Sequence, residues 1–264
     1  MAESGSFAVV LSRPEDVRSP LLAELLAKHD HVPFADAARR ALVSWGIALE
    51  QAPENAAREL ASFLSAGGLP AAAVGHDRLR TPPPWEQAVA AMFEPGVIRW
   101  HLHKQGDVRD VPDAHVEIIA AAVYREETSK TVKVKEGPTS GQKMASFGIM
   151  MTTGLPIHIG GKEREVEKVE KKSELVYHLD LLSPTPPLRI RLDSEKFNYT
   201  CLGPKMLYGA APNFRALLLA LRERLPKSRL NLGARTLIAG QPIATLGYEN
   251  DESLEREERW LLSI

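Results

Sequence analysis

Four of the eight histidines stand in two close pairs, His29-x-His31 and His101-x-His103, and metal chemistry is the first thing such spacing suggests. On an extended strand, residues i and i+2 point to one side, which is the geometry a metal site can use. Zinc needs a third and usually a fourth ligand. His115, His158 and His178 are scattered along the chain, and Cys201 is its lone cysteine. His29 and His31 fall at a helix end, where an imidazole beside the last carbonyls is ordinary. The reading is therefore of surface or capping histidines, with no metal and no cofactor expected. Cys201 sits among Phe197, Tyr199 and Leu202, apolar anchors for a turn, and a nucleophilic thiol would need a nearby base and an electropositive setting, which sequence alone does not show. A buried structural cysteine is expected.

Gly137-Pro138-Thr139-Ser140-Gly141-Gln142-Lys143 has the composition of a phosphate loop but not its spacing, since the Gly-Lys pair and the following Ser/Thr are missing. Ser140 lacks the glycines of a nucleophile elbow. The run 162–172 carries five basic and four acidic residues, which suits a solvated face better than a patch for anionic lipid or nucleic acid. Arg189 and Arg191 share one strand face, and Lys133 and Lys135 share another, so a basic stripe for an anionic ligand is a candidate site. Exposed charges on a sheet are its everyday alternative. No combination of acid, base and nucleophile emerges, and no catalytic residue is assigned.

The elements that would position these residues begin with Phe7-Ala8-Val9-Val10-Leu11, a buried strand. Ser19 and Pro20 mark a helix start, with Leu21, Leu22, Leu25 and Leu26 as its stripe. A second amphipathic helix carries Phe34, Ala37, Ala38, Ala41 and Leu42, and Gly46 to Leu49 returns as a strand. Asn55 to Ala66 forms a third helix, stopped by Gly67-Gly68. A weak strand follows at Pro70 to Val74. The order is β-α-α-β-α-β.

That order resembles the C-terminal domain of the large-subunit ribosomal stalk protein, a fold shared with the adaptor of the Clp protease. Phe7 to Leu11 is similar to the stalk domain's opening strand. Val32-Pro33-Phe34-Ala35-Asp36-Ala37 lies where that family has a leucine-rich helix start, and Asn55 to Val74 is similar to its helix, glycine and strand close. The resemblance implies the fold for these residues. The stalk family binds translation factors through a lysine-rich first helix, whereas here Arg18 and Lys28 flank apolar Ala23 and Leu26. The Clp adaptor's acidic gripping motif is absent, so those partners are not carried over.

Arg80-Thr81-Pro82-Pro83-Pro84-Trp85 is the clearest seam, three prolines making a semi-rigid spacer. Beyond it, a Pro95-Gly96 turn, Val97 to Leu102, Val116 to Tyr124, Thr131 to Val134, Leu175 to Leu182 and Leu188 to Leu192 read as strands. Alternation in 130–135 and 188–192 marks antiparallel, half-exposed ones. Asn213 is expected to cap an apolar helix, Phe214 to Leu225, ended by Pro226. Residues 231–233 and 239–242 read as turns, and Leu254 to Leu262 as an amphipathic end that docks back. The expected class is α+β. A small α/β domain (1–80) is followed by a Pro-rich linker (81–87) and a mostly antiparallel β domain with a closing helix (88–227), either a bent sheet or a small barrel. An extension (228–264) completes the chain. The β domain is similar in outline to the pleckstrin-homology-like superfold.

The 264 residues carry 33 basic and 34 acidic side chains, with 44 % hydrophobic and 25 % charged residues. This excludes fibres and wholly disordered chains, and it argues against a partner held by phosphate contacts. Residues 1–80 hold 8 basic and 10 acidic residues, leaving 25 and 24 for the rest, so each part is near neutral by itself. The start, Met1 to Phe7, shows no basic region followed by an apolar stretch, and a cytoplasmic location is expected. The functional expectation is a non-catalytic protein-binding or adaptor protein that recognises another protein by shape and apolar contact, with Phe147, Ile149, Met150 and Met151 as the candidate surface. The alternatives are a peripheral membrane protein whose 137–161 insertion dips into the interface, and an enzyme whose site is assembled from distant residues.

Overall fold

The computed structural model describes residues 6–104, 106–136, 164–242 and 247–264, with backbone alone for 126–136 and 164–174. Two units are distinguished: Met1–Tyr124 with Leu175–Ile264, and Arg125–Glu174.

Ten strands and six α-helices are named along the described chain. The first are β1 (Phe7–Leu11), α1 (Pro20–Asp30), α2 (Phe34–Ser44), β2 (Ile47–Ala52), α3 (Glu54–Ala66) and β3 (Ala71–Gly75). Then come β4 (Glu86–Glu94), β5 (Val97–Leu102), β6 (Val108–Pro112), β7 (Ile118–Glu136), β8 (Arg164–Pro184) and β9 (Pro187–Asp193). The chain goes on through α4 (Ala210–Arg224), β10 (Arg229–Leu230), α5 (Leu232–Ile238) and α6 (Asp251–Ser263).

The first six elements follow the expected order. Ser19 Oγ accepts from Leu21 N with Pro20 opening α1, and Gly67 ends α3 with its N–H on Phe63 O. β1 is central in a small antiparallel sheet of order β2-β1-β3. Its Ala8, Val9, Val10 and Leu11 are all buried, as a middle strand covered on both faces must be.

The larger sheet has the order β10-β7-β8-β9-β4-β5-β6. It is mixed: β4/β5, β5/β6 and β8/β9 are antiparallel, while β4/β9 and β7/β10 are parallel. With edges at β6 and β10 the sheet stays open, so of the two forms expected the closed barrel is ruled out. The parallel pairs are possible because long connections separate their strands.

β7 joins two apolar cores through its opposite faces. Ile118, Ala120, Ala122 and Tyr124 pack with the small sheet, α1, α3 and α6. Ile119, Ala121 and Val123 pack with α4 and α5. This explains why 118–124 is apolar without alternation. Within this unit, the core of the first eighty residues is completed by Leu182, Tyr248, Leu254, Trp260 and Leu261.

Two local expectations differ. Asn213 is not the N-cap of α4, because the helix starts a turn earlier, after Gly209 at φ 94°. The buried Asn213 side chain instead grips the preceding turn, accepting from Leu207 N at 2.6 Å and donating to Leu207 O and Gly209 O at 2.8 Å each. Asn231-Leu232-Gly233 is a helix start and not a turn before a strand. Asn231 Oδ1 accepts from Ala234 N at 2.8 Å, and the same amide pairs with Ala121 N and O at 2.9 Å each, extending the β7 ladder past the short β10.

Candidate functional site

The most concentrated chemistry in the described residues lies where α6 meets the large sheet. Arg189 and Arg191 stand on β9, two residues apart, and both point at Asp180, which lies opposite Arg191 on β8. Asp180 accepts from Arg189 Nε at 2.8 Å and from Arg191 Nε and Nη2 at 2.7 Å each. From α6, Glu255 meets Arg189 Nη1 at 2.8 Å and Asp251 meets Arg191 Nη1 at 2.5 Å. Glu258 Oε2 approaches Arg189 Nη2 to 2.8 Å, an ion-pair distance without hydrogen-bond alignment. Asp251 also accepts from Tyr124 Oη at 2.7 Å. Asp251, Glu255 and Glu258 recur at helical spacing, so one face of α6 presents all three.

Four carboxyl groups around two guanidinium groups cannot all be charged at low cost. Burial works against ionised Asp180, but the Arg191 hydrogen bonds and the charges of Arg191 and Arg189 outweigh it and hold its pKa low. Glu258 goes the other way: burial first, then the Asp180 charge, push it well above the usual carboxylate range. Of the four carboxyl groups, Glu258 is therefore the one whose surroundings most favour its protonated form. Both arginines are pushed up, burial opposing and Asp180 foremost among the groups that favour the charge.

A second buried cluster lies on the other side of α6. Tyr248 Oη donates to Glu257 Oε2 at 2.5 Å, and Asn231 Nδ2 donates to the same oxygen at 3.0 Å. Leu232 N donates to Glu257 Oε1 at 2.8 Å. Burial, followed by the neighbouring Glu257 charge, raises the Tyr248 pKa, and burial raises that of Glu257 against its hydrogen bonds. Trp45 stacks on Tyr248 at 4.3 Å, with the Arg18 guanidinium 4.4 Å from the Trp45 ring centroid. All of these groups hold α6 and α5 in place, and none lines a described cavity.

The basic stripe was read as exposed, and here the structure differs. Arg189 and Arg191 are 2 % and 3 % exposed, and their anionic partners come from the same chain. Alternation of apolar and charged residues in 188–192 mimics an exposed strand because the partners are far away in sequence. Lys133 and Lys135 lie on β7 in the other unit, and their side chains fall outside the described residues. So do Phe147, Ile149, Met150 and Met151, the 137–143 loop and His158.

The histidine pairs are placed differently from one another. His29 ends α1 with Nδ1 2.6 Å from Asp30 Oδ1, and His31 is its left-handed C-cap at φ 53°. His101 is on β5 and His103 just beyond it, where its N–H donates to Gln87 O. No group of three His, Cys, Asp or Glu side chains arranged for a metal ion occurs among the described residues. Cys201 is half-buried, and burial pushes its thiol up to about 11, which keeps it protonated at neutral pH. Phe197, Tyr199 and Leu202 are buried around it, and Tyr199 Oη donates to Ser194 O at 3.1 Å.

Two groups of exposed apolar side chains stand out among the described residues. α2 buries Ala37, Ala41 and Ser44 and exposes Phe34, Leu42 and Val43 at 56, 48 and 55 %. Met206, Leu207 and Tyr208 are exposed on the turn that Asn213 holds. No helix in the described residues is long and apolar enough to cross a membrane. No family model matches the chain, and neither a curated protein nor a solved structure matches it.

Proposed function

We propose that the chain is a non-catalytic protein-binding or adaptor protein whose partner docks on the outer side of α2. The observation that carries this reading is the exposure of Phe34, Leu42 and Val43 on a helix already anchored through Ala37, Ala41 and Ser44. Phe34 opens the helix, and Leu42 and Val43 are adjacent in its last turn. The neighbouring charges cancel: Arg39 pairs with Asp36 at 2.7 Å, and Arg40 pairs with Asp30. A neutral, apolar, helical surface suits another protein more than a nucleic acid or an anionic lipid surface. The assignment of Arg189, Arg191 and Asp180 to internal ion pairs supports a role without catalysis, because these buried charges are spent on the protein's own helix α6.

The test is an affinity capture with the full chain beside a Phe34→Ser/Leu42→Ser variant of unchanged thermal stability. A specific partner retained by the parent and lost by the variant is expected. An identical captured set would overturn the α2 assignment. Recovery on anionic vesicles with no protein partner would replace the reading with a peripheral membrane role.

A further inference from the structure

A second surface carries a different chemistry. Beside the first residues of β4 lies a cleft of about 700 Å³, inside the range of small-ligand sites. Trp85 forms one wall and is 46 % exposed. Its backbone follows three prolines, each with a fixed φ. Its ring lies 5.6 Å from the guanidinium of Arg191, which Asp180 and Asp251 hold in turn. Trp85 is thus an exposed aromatic platform resting on an immobile support, a preorganised stacking surface.

The polar groups opposite it divide into satisfied and unsatisfied ones. Arg109 and Glu86 neutralise each other through contacts of 2.7 to 3.2 Å. Lys104 and Asp107, also in the lining, have no ionic partner among the described residues. They are the ends of one turn, with Asp107 N donating to Lys104 O at 3.0 Å. The cleft therefore offers one cation and one anion, at the two ends of one turn and without an ionic partner among the described residues.

We propose that this cleft binds a free aromatic α-amino acid or a close zwitterionic analogue. The ring stacks on Trp85, the carboxylate meets Lys104, and the ammonium meets Asp107. A peptide end carries only one of the two charges next to its terminal ring, so the zwitterion is what this pairing selects. The site is separate from the outer side of α2, and either proposal stands if the other fails.

The test is calorimetric titration of the full chain with L-phenylalanine, beside phenylalaninamide and N-acetylphenylalanine. Saturable binding with Kd in the millimolar range or tighter is expected. Removing either ligand charge should weaken it by about threefold or more, as should Lys104→Ala for the carboxylate and Asp107→Asn for the ammonium. Trp85→Ala should weaken binding about tenfold, with Trp85→Phe restoring most of it. Thermal unfolding of each variant checks that the fold is kept. Absence of saturation up to about 10 mM overturns the proposal. Equal binding of the amide or the acetylated form overturns the zwitterionic assignment, and an unchanged Kd for Trp85→Ala overturns the stacking site.

Discussion

Replacing Glu258 by Gln and Asp180 by Asn are chemically the same edit, and the structure makes their consequences very different. Asp180 is the charged acceptor of three hydrogen bonds from two buried guanidinium groups. Its neutralisation leaves Arg189 and Arg191 with Glu255 and Asp251 at the rim and with Glu258, whose pKa burial raises. Removing one member of a buried ion pair costs about 3–5 kcal/mol. For a chain of this size each kcal/mol lowers Tm by about 2–4 °C, so Asp180→Asn should lose about 6–20 °C. Burial and the Asp180 charge push Glu258 toward its protonated form, which a glutamine amide matches in shape and charge. Glu258→Gln should therefore cost under about 1 kcal/mol, or at most about 4 °C. Urea unfolding at pH 7 followed by circular dichroism, with calorimetric Tm beside it, measures both. Equal losses for the two variants would mean that Glu258 is ionised, and the charge assignment of the cluster would be refuted.

Raised Glu257 and Glu258 pKa values stabilise the fold fully below the unfolded carboxylate value, about 4.3, and this contribution is lost as pH rises through their folded values. Asp180, held low, acts in the opposite sense: its contribution is present above about 3.9 and is lost as pH falls. A Glu257→Gln/Glu258→Gln variant should then flatten the alkaline side of the stability curve and leave the acid limb, as urea midpoints across pH would show. Gly233→Ala should destabilise by about 3 kcal/mol, because the added methyl overlaps the Ala121 backbone carbonyl, and chemical denaturation measures the loss. The Cys201 thiol, pushed up to about 11, should react with a disulfide reagent at pH 8 far more slowly than a free cysteine does, with the difference erased in denaturant.

Much of the first eighty residues was legible because their signals are local. Ser19-Pro20, the stripe in α1 and Gly67-Gly68 each act within a few positions. The Pro95-Gly96 turn and the 188–192 strand were legible on the same grounds. The burial of Arg189 and Arg191 was not, because it depends on Asp180 in another strand and on a helix some 60 residues on. Two signals were present. Asp180 is a single charge inside the apolar run Leu179 to Leu182, and Asp251, Glu255 and Glu258 share a helical face. Asn213 misled by type: a residue common at N-caps sits inside the first turn of α4 and uses its amide on the turn before it. Trp85 read as part of a spacer, since nothing local reveals that Arg191 lies beneath its ring.

The indole N–H of Trp260 donates to Leu11 O at 2.7 Å, and its ring fills the space that Gly46, at φ +89°, leaves open. This ties the first strand to a helix made almost 250 positions later. At translation speeds of about 5–20 residues per second, roughly 10–40 s pass between the emergence of α3 and that of α6. Throughout that interval the newborn β1 sheet has an apolar wall with nothing to cover it. On the ribosome, the α6 side chains join last a core that β1 begins.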